Sequence, residues 1–206
     1  MNIVKKSAFV TGALAAALMV GCVSNKPLNT VGRLTLDDAH SNLSAVAIKN
    51  EKVPVTVKFP GLSGWAAATG QAELTIPIST LDTGNPERDT NIKDLFFEVA
   101  KKAAFGSASF KLDKIETDLS TLKSGQIVTA KGSGSLSLHG ASLNLSGLLT
   151  FARKGNSVAV TLGEGWEIAI NKTSLVQALK NLNKHCPQPH RVGNVVKLGG
   201  TLVFKA

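Results

Sequence analysis

The sequence predicts an all-β protein, an eight-stranded antiparallel barrel carrying two helical insertions. Apolar and polar residues alternate with a period of two over most of the chain beyond about residue 31. Only two stretches, about 90–101 and about 173–183, switch to helical spacing. The segments 126–138 and 141–153 are long strands whose edges would invite aggregation if left open. With 206 residues and 43% hydrophobic content, the chain suits one domain, 31–206, with a sizeable core. A sandwich and a barrel both satisfy the alternation, and strand length favours the barrel because closure removes edges.

The elements follow in order. Lys5 and Lys6 precede an apolar run from Ala8 to Val20, which is shorter than the ~20 residues a spanning helix needs. Residues 1–21 therefore read as a signal peptide. The run ends Leu18-Met19-Val20-Gly21-Cys22, and this small residue before a cysteine resembles the lipobox of bacterial lipoproteins. That resemblance implies cleavage before Cys22, acylation of its thiol and amino group with palmitate-like chains, and attachment to a leaflet. Val23 after the cysteine tilts the location toward the periplasmic face of the outer membrane. With Cys22 acylated, Cys186 is the only thiol, so no intramolecular disulfide supports the fold. Residues 22–30 read as the lipidated tether.

Strand patterns then run through Val53-Val55-Val57-Phe59, Ala72-Leu74-Ile76-Ile78, Ala108-Phe110-Leu112, Leu136-Leu138, Leu143-Leu145, Val158-Val160-Leu162, Trp166-Ile168 and Leu198–Phe204. Between the second and third, Thr83-Gly84-Asn85-Pro86 forms a turn and Asp89 or Thr90 offers an N-cap. Ile92, Leu95, Phe96 and Val99 then share one helical face, which places Phe96 inward and Phe97 about 100° round. In the second helix Leu175, Val176, Leu179 and Leu182 share a face.

The formal charge is +9, or +7 once Lys5 and Lys6 leave with the leader, and no acidic residue follows Glu167. A solvated basic face, or one turned toward anionic lipid, accounts for this. Nucleic acid is not a predicted partner, because no basic run is interleaved with aromatics and the chain has no Tyr. Nor is an enzyme or a cofactor predicted: no nucleophile elbow, His-Glu-x-x-His or phosphate-binding glycine loop occurs.

Leu36-Asp37-Asp38-Ala39-His40-Ser41, Phe59-Pro60-Gly61-Leu62-Ser63-Gly64 and Asp82-Thr83-Gly84-Asn85 with Arg88-Asp89 and Asp94-Leu95-Phe96-Phe97-Glu98 resemble the YceI-like family in order and spacing. Gly134-Ser135-Leu136-Ser137-Leu138-His139-Gly140 resembles its Gly-x-Leu-x-Leu-x-Gly strand. The chain departs from the pattern at Asn50 and Asn91, where the family has His. The resemblance implies a lipocalin-like barrel and an apolar ligand of polyisoprenoid or fatty acyl type.

The pocket candidates are Phe59, Trp65, Ile76, Phe96, Phe97, Phe110, Leu136, Leu138 and Trp166, with Arg88 and His40 as head-group candidates. An eight-stranded barrel either packs its interior or holds one small ligand. A packed barrel would make this a structural or stress-response envelope protein. His185, Cys186 and His190, in a proline-stiffened loop, are weak candidate ligands for copper or zinc, with His40 or His139 completing the set. The leader yields a direct test. Cys22→Ser should abolish incorporation of labelled palmitate and release the protein from the membrane fraction; unchanged labelling would exclude Cys22 as the acylated residue.

Overall fold

The computed structural model describes residue 28 and residues 32–185 and 191–206. The predicted signal peptide, Cys22 and most of the predicted tether lie outside the described residues, as do Cys186 and His190. The strands are β1 (Arg33–Leu36), β2 (Asn42–Lys49), β3 (Val53–Lys58), β4 (Ser63–Ala67), β5 (Ala72–Pro77), β6 (Ser107–Ile115), β7 (Ile127–Leu138), β8 (Ala141–Lys154), β9 (Ser157–Leu162), β10 (Glu167–Ala169) and β11 (Val192–Lys205). Helix α1 (Pro86–Asn91) lies between β5 and β6, and α2 (Val176–His185) between β10 and β11.

The path β1-β4-β5-β6-β7-β8-β9-β11 returns to β1, and every pairing is antiparallel, so the sheet is a closed eight-stranded barrel. Above that ring the wall continues: β2 pairs with β11 and β3, and β10 pairs with the other edge of β11. β1 thus runs on into β2, β3 into β4 and β9 into β10. The predicted class is the observed one.

Alternation sets which side chains fill the barrel. In β7, Ala130, Gly132, Gly134, Leu136 and Leu138 are buried while Thr129, Lys131 and Ser137 are exposed. In β8, Leu145, Gly147, Leu149 and Phe151 are buried while Asn144, Ser146 and Leu148 are exposed. Small and large residues meet across the interior. A methyl on Gly134 would lie 2.8 Å from the Phe110 ring, and one on Gly147 would lie 2.6 Å from Trp166. These glycines make room for Phe110 and Trp166, which pack edge to face at 5.7 Å. Trp166 is fixed there because its indole N–H donates to the Leu148 carbonyl at 2.8 Å.

The loop from residue 116 to 126 folds across one end and buries Leu119 and Leu122. Arg153, the next inward position after Phe151, is 2% exposed and donates to the carbonyls of Leu122 at 2.6 Å and Gly155 at 2.9 Å. Leu28, just before β1, is 3% exposed and joins the core at this same closed end.

The first helix differs from the predicted 90–101. It starts at Pro86, capped by Asn85, whose side chain accepts from the Arg88 N–H at 2.9 Å. Asn at the cap and Pro at the first helical position form a better start than Asp89 or Thr90. Asp89 instead accepts from the Thr83 N–H and hydroxyl, closing the turn. From Ile92 to Phe96 the helix widens into one π turn, with the Phe97 N–H donating to the Ile92 carbonyl at 2.9 Å. It stops at Glu98, whose φ is 52°. The second helix begins three residues later than predicted.

Gly147→Ala tests the interlock. It should destabilise the protein by about 1–3 kcal/mol through overpacking against Trp166 and the Glu164 carbonyl. Thermal unfolding monitored by near-UV circular dichroism reads both the loss and the displaced indole.

Candidate ligand cavity

The barrel interior holds two compartments. The larger, about 320 Å³, lies beneath the helices at the open end. The smaller, about 110 Å³, lies deeper, towards the closed end. Leu43, Ile76, Leu136 and Leu198 line both and form the belt between them. The larger volume falls at the lower end of the range usual for small-molecule sites.

The walls follow from strand periodicity. Leu43, Ala45, Ala47 and Lys49 succeed one another on the inward face of β2, opposite Val55 and Val57 of β3. The lid is helical: Ile92, Phe96 and Phe97 from the π turn, and Leu175, Leu179 and Leu182 from α2. Phe96 and Phe97 contact each other edge to face at 4.8 Å. In the upper compartment, the ionisable lining groups among the described residues are Lys49, Glu87, Arg88 and Arg191. Three cations and one carboxylate, together with Asn85 and Asn91, therefore surround the mouth of a space otherwise lined by apolar residues and Gly193.

The lid is tied to the β7–β8 turn through His139, whose φ is 52°. Its ring stacks on Phe105 at 3.8 Å, and its Nε2 lies 3.4 Å from the Glu98 carboxylate. The Ser174 hydroxyl donates to the His139 carbonyl at 3.0 Å. One residue thus meets the end of the π turn, the segment before β6 and the approach to α2. Lys101, bonded to the Glu98 carboxylate, holds that group below the usual carboxylate range against the opposing effect of burial, and His139 adds to the lowering.

Of the predicted pocket residues, Phe59, Phe96, Phe97 and Leu138 line the upper compartment, Phe110 and Trp166 the lower, and Ile76 and Leu136 both. Arg88 stands at the mouth. Trp65 does not join them. It pairs with Glu73 on the outer face of the sheet, donates to its carboxylate at 3.1 Å and carries the Arg33 guanidinium 3.8 Å from its ring centroid. His40 is also outside: its side chain is 67% exposed and its Nδ1 meets Asp37 at 2.8 Å. The same Asp37 is bonded by Lys205, which together with His40 lowers its pKa against burial. The helical stripe ranked the two phenylalanines in the wrong order, since Phe97 is buried and Phe96 only partly so. The π turn rotates the residues after Ile92 relative to an α-helix.

His185 ends α2 and is exposed, while its proposed partners Cys186 and His190 lie outside the described residues. Among the described residues, no group of three or more His, Cys, Asp or Glu is placed to hold a metal. Sequence reasoning missed Lys49 and Arg191. Lys49 was signalled by the alternation Leu43-Ala45-Ala47. Arg191 had no local signal, because its position comes from the Arg191 N–H donating to the Asn50 side chain at 2.8 Å.

A closed antiparallel barrel with a helical lid over an apolar cavity defines a lipocalin-like protein. The chain belongs to the YceI-like family: the model of the YceI-like domain matches residues 34–202. Its fold is similar to that of a polyisoprenoid-binding domain from Saccharophagus degradans implicated in plant cell wall breakdown. The TM-score is 0.74 at 23% identity, over 84% of this chain and 98% of that one. It is also similar to BcnA of Burkholderia cenocepacia, with a TM-score of 0.61 at 19% identity over 82% and 98% of the two chains. A search of curated proteins returns no match.

The lid separates two roles for adjacent side chains. Phe97→Ala should cost about 3–5 kcal/mol of stability, as expected for a buried ring. Phe96→Ala should cost less than half of that and instead speed release of an apolar fluorescent probe. Denaturant unfolding and stopped-flow release measure the two effects, and equal behaviour would remove the distinction.

Proposed function

We propose that this protein is a bacterial envelope lipoprotein that carries an apolar chain-like molecule, of isoprenoid or fatty acyl type, inside its barrel. The observation that supports this best is the pair of stacked compartments, apolar from the lid helices down to Phe110 and Trp166. A chain entering them contributes ~0.8 kcal/mol for each methylene taken from water. Such a space grips by volume rather than by directed bonds, which suits a transported chain. The polyisoprenoid-binding relative of the same fold supports the ligand class.

The ligand's head group belongs at the mouth, where Lys49, Arg88 and Arg191 favour a carboxylate or phosphate. This arrangement supports binding: the cations surround the head, and the walls about the chain are hydrocarbon.

Leu28 bears on the attachment. It sits in the closed end of the barrel, six residues beyond Cys22, and six residues reach at most about 22 Å. Acyl chains on Cys22 would hold the closed end near the anchoring leaflet and leave the mouth facing away.

Native mass spectrometry of protein purified without detergent tests the reading. A co-purifying apolar molecule, released by organic solvent, is the expected result; ligand-free protein in every preparation would overturn it. Arg88→Gln should weaken binding of a fatty acid roughly tenfold, the value of one charge-assisted hydrogen bond.

A further inference from the structure

Among the described residues five large apolar side chains are well exposed, and three of them, Ile48, Val53 and Val195, gather at the mouth of the barrel. Their grouping follows from register. Lys49 pairs with Val53 and Ile48 with Pro54 across the β2–β3 hairpin. Ala47 pairs with Val196, and both line the cavity, so Ile48 and Val195 are the next positions along their strands and project to the outside. Ile48 is 37% exposed, Val195 44% and Val53 53%.

This tip is held in one piece. The backbones of Asn50 and Arg191 are bonded, with the Asn50 N–H donating to the Arg191 carbonyl at 2.8 Å. The Val192 N–H donates to Asn183 of α2, also at 2.8 Å. The β2–β3 turn, the start of β11 and the end of α2 therefore move together.

The charge around the tip is predominantly positive. Lys49, Lys52, Lys180, Lys184 and Arg191 lie on these three segments, against Glu51 alone. The carboxylates of Glu87 and Asp94 sit on α1 and the π turn, separate elements of the mouth. Apolar tips set among lysines and arginines at a cavity mouth match an interfacial site on an anionic bilayer: the tips enter the acyl boundary and the cations meet phosphates. A protein partner would place fewer demands on lysine, which interfaces between proteins disfavour.

We propose that the rim formed by Ile48, Val53, Pro54 and Val195, with Lys52 and its basic neighbours, docks the barrel mouth onto an anionic phospholipid surface. The docking rests on the carrier reading above and adds to it the partner at which the ligand is loaded or released. Since the anchored end lies opposite, the docked surface is a second membrane rather than the anchoring leaflet.

The test uses the mature protein reconstituted through its acyl chains in phosphatidylcholine vesicles, mixed with labelled vesicles that contain or lack phosphatidylglycerol. Should the mature chain carry no acyl group, its direct cosedimentation with the same labelled vesicles gives the same comparison. Capture of the anionic vesicles and not the neutral ones is expected. Ile48→Ser combined with Val195→Ser should reduce capture about tenfold or more, and Lys52→Ala roughly fivefold. Ile127→Ser, an exposed residue at the other end of β7, should change nothing. Equal capture of both vesicle types, or capture indifferent to Ile48 and Val195, would overturn the proposal. So would self-association that depends on these residues in the absence of capture, since that assigns the rim to a second copy. Native mass spectrometry on the same variants separates the two readings, because docking by ligand-free protein would leave the rim in place and remove only the cargo.

Discussion

The structure depends on what β11 must do. Along its 14 residues this strand pairs on one edge with β9 and β10 and on the other with β1 and β2. Its lower half closes the ring, satisfying backbone groups that an open sheet would present to other chains. Its upper half, beyond the ring, carries β2 and β3 outward and gives the cavity its wall above Leu43 and Leu198. Remove that pairing and the barrel loses both its closure and its upper compartment. The bulge between Val192 and Val196 lies within that upper half, in the pairing with β2, and bends the wall at the mouth.

What fills the closed ring is decided by a few glycines. Without side chains at Gly132, Gly134 and Gly147, Leu149, Phe110 and Trp166 swing into the middle of the barrel. They occupy the deep part and leave only about 110 Å³ there, against about 320 Å³ above. The division into a narrow bottom and a wider top is thus a consequence of residue size on β7 and β8. The closed end is further sealed by Arg153, a buried cation whose amide-carbonyl partners hold the loop carrying Leu119 and Leu122.

Those same strands were the most legible in the sequence. The alternation of Leu136 and Leu138 with serines, and of Leu143 and Leu145 with Ser142, Asn144 and Ser146, identified strands and their faces, and strand length pointed to closure. Phe59, Ile76, Phe110 and Trp166 were found as interior residues for the same reason. Trp65 was read as interior but faces outward, because Gly64-Trp65-Ala66-Ala67 lacks a polar residue to mark a face. Its outward position is decided by cross-strand neighbours, Glu73 and Arg33, that periodicity does not reveal. Arg191 was invisible for a related reason, since its partner Asn50 lies 141 residues away. The ends of the first helix escaped because a π turn has no apolar period of its own and the true cap, Asn85, lay inside what read as a turn.

That π turn explains why the lid works with two adjacent phenylalanines. In an α-helix, neighbours point about 100° apart, and one ring would face solvent when the other faced the cavity. The wider turn from Ile92 to Phe96 lets both Phe96 and Phe97 reach the upper compartment. Such turns persist only where packing supports them. The same holds for the lid as a whole: α1 has 6 residues and α2 has 10, both shorter than the ~12–15 residues at which an isolated helix becomes even marginally stable. Their order therefore comes from what lies beneath them, the apolar side chains of the mouth and any chain held among them. On the carrier reading proposed above, a ligand that fills the upper compartment would add contacts to Phe96 and Leu179 that the empty barrel lacks, so cargo and lid would stabilise each other. On the same reading, loss of the cargo would loosen the lid and leave the barrel below, closed through β11, intact.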